Sequence, residues 1–378
     1  MTPASSAALR FSPGVHRDRL LRASRAAAER DIDSLLITPS PDYTYLLGYQ
    51  APALERLTCL VVPAEGRPAL VVPRLEAPLA RHELGELVDE VELYAWDETD
   101  DPFRLVQRLV GASMRVAVQD QMWARFSLAL RAALDPAEMV VAGPAMASLR
   151  RIKAPEEVER LRAAASAADS AMRAITGERL SGRTEAEVSA RIRGLLLDAG
   201  HQSADFAIVA SGPNAASAHH VPGDRVIADG DAVVLDIGGT RDGYCSDTTR
   251  TAFVGQPAGE FAALYSVLRD AQRTACDAVR PGVAAADIDA AARNVITDAG
   301  YGEAFIHRTG HGIGMETHEE PYLVATNRQP LEEGNAFSVE PGIYVEDTWG
   351  ARIEDIVVCT ADGGERLNTT STELYLVE

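Results

Sequence analysis

Cysteine is scarce in this chain. Four occur in 378 residues, at Cys59, Cys245, Cys276 and Cys359, and no two form a CxxC pair. That spacing excludes a zinc knuckle and reads as free thiols in a cytoplasmic protein. Long apolar runs are missing too: none approaches the roughly 18–20 residues that cross a bilayer. Residues 1–10 lack a basic stretch followed by an apolar core, so no signal peptide is expected there. Positive charge is short, with 36 Lys and Arg against 56 Asp and Glu, a net charge of −20. Such a field repels nucleic acid and anionic membranes, and neither is expected as a partner. Three familiar signatures are absent: the strand-to-helix GxGxxG of dinucleotide sites, the HExxH of zinc helices and the GxSxG nucleophile elbow.

What remains is an ordinary soluble composition, 46% hydrophobic and 24% charged, in a chain too long for one core. Two domains are expected, residues 1–145 and 146–378, with the break near Gly143-Pro144. The first alternates helix and strand. A helix is predicted over 15–30, a strand over 34–38 and a short element over 43–48. Strands at 58–62 and 69–72 are joined by a turn holding Gly66. Helix 77–87, strand 88–95, helix 102–111, strand 115–119 and helix 122–134 follow. This pattern predicts an α/β domain with a mixed sheet, and it carries no cluster of potential ligands. The second domain opens with Ala154-Pro-Glu-Glu157, a helix start with proline in the first turn. Helices are predicted at about 155–176, 184–199, 259–279 and 285–299, and strands at 206–210, 336–345 and 351–359. The order suggests two αβ halves around a shared cleft.

The second domain is organised around Val233-Val-Leu-Asp236-Ile-Gly-Gly-Thr-Arg-Asp-Gly-Tyr-Cys-Ser-Asp247. It reads as strand, glycine turn through Gly238, Gly239 and Gly243, then strand, bringing Asp236 and Asp247 side by side. Both aspartates have an ordinary reading as solvated turn residues. Asp242 fits that reading. Asp236 sits among apolar residues, where a carboxylate must be paired, protonated or bound to a cation.

Further ligand-capable residues follow. His307-Arg-Thr-Gly-His311-Gly-Ile-Gly is a glycine-lined loop, and His318 comes seven residues after His311. Glu340 ends an apolar stretch before Pro341. Arg352 and Glu354, two apart, are expected on one strand face. Each also reads singly as a turn or a solvated strand face. Together Asp236, Asp247, Glu340, Glu354 and His311 form an oxygen-rich set with one imidazole. Such a set suits a pair of divalent ions, manganese before cobalt, iron or zinc.

The same five residues, with their flanking motifs, resemble the pita-bread metallopeptidases: methionine aminopeptidase, aminopeptidase P and prolidase. The resemblance covers essentially the whole chain, since the N-terminal domain is similar to that of the creatinase, aminopeptidase P and prolidase branch. It implies a pita-bread catalytic domain behind a smaller creatinase-like α/β domain. It also implies that Asp236 chelates one metal, that Asp247 and Glu354 bridge two, and that His311 and Glu340 complete the second. Glu340 is further expected to move a proton. His219 matches the family's cleft histidine, although Ser217-Ala218 replaces the more usual Leu-Pro before it. His318 matches the histidine at the scissile peptide. His307 and Arg352 match polar groups near the substrate in the proline-specific branch. The implied reaction is hydrolysis of the bond before proline in Xaa-Pro dipeptides. Two alternatives stand beside it: release of the N-terminal residue from longer Xaa-Pro peptides, and an inactive pita-bread binding protein. The segment from Pro41 to Thr58 resembles that of bacterial cytosolic dipeptidases. A homodimer is implied, with that segment near the partner's cleft.

Overall fold

Asp242 and Gly243 both have positive φ (50° and 79°). They close a two-residue hairpin whose left-handed centre matches the twist of its strands. A computed structural model describes residues 11–112 and 114–378; residues 1–10, where no signal peptide was expected, lie outside the described residues. The chain divides into two compact units, 1–150 and 151–378.

The first unit runs α1 (Pro13–Ala28), β1 (Ser34–Ile37), α2 (Pro41–Leu47), β2 (Cys59–Pro63), β3 (Ala69–Pro73), α3 (Ala77–Leu84), β4 (Glu92–Trp96), α4 (Pro102–Val110), β5 (Arg115–Val118), α5 (Ala124–Leu134), β6 (Glu138–Val141) and α6 (Gly143–Arg150). Its sheet has the order β4-β3-β2-β1-β5-β6 and is mixed, antiparallel between β1, β2 and β3 and parallel elsewhere. The short element at 43–48 is a helix. Ser40 accepts from Tyr43 N, Pro41 fixes the first turn and Gly48 ends it at φ 64°, so capping overrides the β-favouring Tyr-Thr-Tyr. The strand predicted from residue 88 starts at Glu92, because residues 85–89 form a 3-10 turn after Gly85. β6 is an edge strand with little burial, so it shows no apolar alternation.

The second unit runs α7 (Pro155–Thr176), α8 (Glu185–Asp198), β7 (Ser203–Ser211), β8 (Ala232–Arg241), β9 (Tyr244–Val254), α9 (Gly259–Ala278), α10 (Ala285–Asp298), β10 (Gly310–Gly312), β11 (Glu319–Leu323), β12 (Ala336–Val339), β13 (Gly342–Val345), β14 (Trp349–Arg352), β15 (Asp355–Thr360), β16 (Gly363–Arg366) and β17 (Tyr375–Val377). Two halves repeat one plan. α7 and α8 bury Met172, Val188 and Ile192 against Leu235 and Ile237 of the sheet β17-β9-β8-β7. α9 and α10 bury Leu264, Leu268 and Ile288 against Phe337 and Val357 of the sheet β11-β10-β12-β15-β16. Among the described residues, no helix is long and apolar enough to cross a membrane.

Gly238 and Gly239 do not belong to the turn. They lie inside β8, opposite Asp247 and Ser246, where β7 bulges between Ala204 and Phe206. A Cβ on Gly238 would stand 2.2 Å from Cζ of Phe206 and 2.4 Å from the Ser246 carbonyl. Glycine is needed here for close approach. Gly238→Ala should therefore cost about 1–3 kcal/mol, the usual penalty of overpacking, read as a lowered midpoint in urea. A midpoint equal to the parent's would mean that both the Phe206 ring and the Ser246 backbone give way freely.

Candidate active site

The β8–β9 register sets Asp236 opposite Thr249 and Gly238 opposite Asp247. Side chains two apart share a face, so the two aspartates lie diagonally on one face of the hairpin. His311 comes from the short strand β10, between β11 and β12.

Glu340 and Glu354 arrive differently from the expected pattern. The stretches predicted as single strands, 336–345 and 351–359, are each broken in two. Glu340-Pro341 separates β12 from β13, and Ile353-Glu354 separates β14 from β15. At these breaks the chain leaves the five-stranded sheet for the two-stranded β13–β14 ladder and then returns. Arg352 and Glu354 therefore do not share one continuous strand. The freed backbone is satisfied across the hairpin and β10: Glu340 N donates to Thr309 O (2.8 Å) and Glu354 N to Thr249 O (3.1 Å). Arg250, fully buried, donates to the Glu354 carbonyl at 2.6 Å and pairs with Asp355 at 2.5 Å. Both of these carboxylates are thus presented by bends that polar partners hold.

The nine residues singled out by the sequence, namely His219, Asp236, Asp247, His307, His311, His318, Glu340, Arg352 and Glu354, line one cleft of about 720 Å³. Phe206, Ile208 and Ile306 add an apolar wall, and Arg308 a second guanidinium. One ligand atom each from Asp247, His311 and Glu354 lies within 4.8 Å of the others. His311 Nδ1 faces the Gly312 carbonyl at 3.1 Å. That nitrogen therefore carries the proton, and the Nε2 lone pair faces Glu340 at 3.3 Å and Asp247 at 3.6 Å. Burial, then the neighbouring His318, pushes the His311 pKa down to about 3, so the ring is neutral. A neutral imidazole whose lone pair is turned toward carboxyl oxygens is an arrangement that a cation between them completes.

The carboxylates agree. Asp236 Oδ1 and Glu354 Oε1 are buried without a hydrogen bond. Burial, followed by the charge of Glu354, raises the Asp247 pKa well above the carboxylate range. Burial, then Glu340 and Asp236, raises that of Glu354. Burial brings Glu340 to about 7. Buried charges without counter-charge are costly, and divalent cations are the counter-charge this oxygen-rich, one-imidazole donor set fits.

The other polar groups form a chain. Arg352 donates to Asp236 Oδ2 (2.7 Å), Tyr344 Oη (2.7 Å) and Thr249 Oγ1 (3.2 Å). His307 Nδ1 donates to the Arg308 carbonyl (2.7 Å), so its Nε2 accepts from Tyr344 Oη (2.9 Å). Both His307 nitrogens and every Arg352 nitrogen are thereby engaged within the protein. His219 lines the cleft with no hydrogen bond among the described residues, and the His318 ring sits 4.2 Å from that of His311. Lys153, the sole lysine of the chain, is buried and pairs with Glu319 at 2.5 Å, directly after His318.

Sequence reasoning missed several members. Tyr344 lies in a strand that reads as apolar. Asp289 of α10 accepts from Thr309 N (3.0 Å) and Arg293, and Arg293 also donates to the His307 carbonyl (2.7 Å). In the sequence these look like helix-surface charges; only the fold turns them toward the histidine loop.

With the site in view, relatives can be compared. The family model of metallopeptidase family M24 matches residues 159–361, and that of the creatinase/prolidase N-terminal domain matches residues 19–152. The chain belongs to metallopeptidase family M24. Within the M24 family, a probable dipeptidase PepE of Mycobacterium tuberculosis is 46% identical over 97% of this chain and 98% of its own. The crystal structure of dipeptidase PepE from Mycobacterium ulcerans is also 46% identical, with a TM-score of 0.93 over 97% of this chain and 99% of that one. The Xaa-Pro dipeptidase from Bacillus anthracis is 31% identical, with a TM-score of 0.87 over 96% and 100%. As an M24 enzyme the chain is a pita-bread metallopeptidase that uses divalent metal ions and acts on peptides.

Proposed function

We propose that this M24 enzyme hydrolyses the peptide bond before proline in Xaa-Pro dipeptides. The observation that carries the choice of a dipeptide is Arg308. Its guanidinium lines the cleft, stacks 4.4 Å from the Tyr322 ring centroid and has no carboxylate partner among the described residues. A cation placed there can receive the substrate's terminal carboxylate, which limits the length of the peptide. The apolar wall of Phe206, Ile208 and Ile306 suits a proline ring and a small apolar neighbour. The names borne by the relatives point the same way.

Asp236, Asp247, His311, Glu340 and Glu354 would hold two divalent ions, manganese by the oxygen-rich character of the set. When bound, such ions supply an acidified water and polarise the scissile carbonyl. Glu340, bordering that place, takes up the proton of the attacking water and hands it to the leaving nitrogen. His219 and His318 donate to the carbonyl oxygen as charge grows on it. Arg352, Tyr344 and His307 hold Asp236 and the cleft floor in place and meet the substrate as shaped surface. We further propose a homodimer, which sedimentation at assay concentration checks. A cytoplasmic location is part of the same reading, supported by four buried free thiols.

Hydrolysis of Ala-Pro beside Ala-Pro-Ala, with manganese and then with chelator, tests the proposal. Cleavage of the dipeptide alone, abolished by chelation and restored by metal, is the expected result. Better cleavage of the tripeptide would transfer the reading to aminopeptidase P. Cleavage of neither by metal-loaded protein would overturn proline specificity.

A further inference from the structure

Glu185 is the first residue of α8, yet its side chain is fully buried. The helix end is capped independently, by Thr184 and Glu187 donating to each other, so Glu185 is not needed there. Its two oxygens accept from Ser211 N and Oγ (both 2.8 Å), Asn214 Nδ2 (3.1 and 3.2 Å), His220 Nε2 (2.7 Å) and Gly223 N (3.4 Å). Burial alone would raise its pKa, but the bonds from Ser211, His220 and Asn214 outweigh it and hold the carboxyl below its usual range. It therefore stays ionised, and charge-assisted bonds are the stronger kind.

These donors run from Ser211, the last residue of β7, into the segment that links β7 to β8, and that segment carries His219 into the cleft. The segment has little regular structure of its own, only a 3-10 turn over Gly212–Ala216. It is held from the other side by β14, where a Cβ on Gly350 would stand 2.0 Å from the Ala215 carbonyl and Arg352 donates to Ala218 O at 3.4 Å. His219 makes no side-chain hydrogen bond among the described residues. Its direction is set by its backbone, and the neighbouring backbone is set by Glu185.

We infer that Glu185 is a positioning residue for His219, acting through His220 and Asn214 without touching the substrate. The inference rests on the reading of His219 as a donor to the substrate carbonyl. A small displacement of that donor lowers the rate without altering ground-state binding, because the bond matters once charge develops.

Steady-state kinetics on Ala-Pro with manganese-loaded enzyme test it. Glu185→Gln sets an amide N–H₂ among donors. It should lower kcat by roughly ten- to 10²-fold, the scale of a misplaced catalytic group, with KM and metal content as in the parent. In a His219→Ala background the same substitution should change kcat by less than about twofold, since a positioning effect vanishes with the group positioned. Should Glu185→Gln not fold, His220→Ala takes its place with the same expected pattern, and His220→Gln, which restores a donor, recovers part of kcat. Equal losses in both backgrounds, or parent-like kcat in Glu185→Gln, would overturn the inference while leaving His219 as a donor. A silent His219→Ala would overturn the donor reading and the inference together.

Discussion

Asp247→Asn should abolish peptide hydrolysis and metal uptake while leaving the metal-free fold at least as stable as the parent. Asp247 is the proposed ligand most crowded by like charge, its pKa raised by burial and then by Glu354, Asp236 and Glu340. It also faces the His311 lone pair at 3.6 Å. An amide keeps the shape and one acceptor but removes the charge that a cation answers. Turnover should fall by roughly 10³-fold or more, the loss expected when water is no longer acidified at neutral pH. Stability should move in the opposite direction. In the metal-free protein burial and the neighbouring carboxylates already disfavour the ionised form of Asp247, and a neutral amide removes the cost of that buried charge, so the melting temperature should not drop. The parent should gain stability on adding manganese, as any protein does with a ligand that binds only its folded form, and the variant should gain little. Calorimetry with and without manganese, beside metal analysis, reads both effects. A variant that keeps the parent's full metal content and activity would remove Asp247 from the ligand set.

His219→Ala should leave metal content and melting temperature unchanged and lower kcat by roughly 10²-fold, the scale of losing one transition-state donor. The side chain is exposed in the cleft and holds no other group in place, so truncation leaves no buried partner unsatisfied. KM for Ala-Pro should change little, because a donor to developing charge contributes most after binding. Loss of metal in this variant would make His219 a ligand instead. A rise in KM at constant kcat would make it a binding contact.

How far these residues could be read in advance depends on what local pattern each one interrupts. Asp236 was legible because it breaks an apolar strand, Val233 to Ile237, where a charge has no ordinary place. His311 was legible from its glycines, which let strands crowd in: a Cβ on Gly310 would meet the Ser338 carbonyl at 1.9 Å. Glu340 and Glu354 were legible as residues but not as geometry. Their flanks read as continuous strands, and only the fold shows that both are delivered by bends whose backbone is satisfied by Thr309, Thr249 and Arg250. Gly238 and Gly239 looked like turn residues because glycine serves turns and close contacts alike; Phe206, thirty-two residues earlier in the sequence, decides between them. Tyr344 and Asp289 gave no signal, since a tyrosine in a strand and an acid on a helix are ordinary until their partners are known. The short element over 43–48 is placed by the sequence, but its helical type is not legible there, because the stability of the helix Pro41–Leu47 comes from its ends.

The pairing of Lys153 with Glu319 has a practical consequence for handling the protein. The chain has a single side-chain amine, and the folded enzyme encloses it in an ion pair. Dyes and cross-linkers that seek lysine have no accessible side chain to modify while the fold is intact. A lysine-directed endoprotease has one bond to cut, between Lys153 and Ala154, three residues past the division between the two units. Cleavage there requires the pair to open, so the rate at which two fragments accumulate reports that local opening directly. The protein therefore carries its own single-site gauge of breathing beside His318, with no label to introduce.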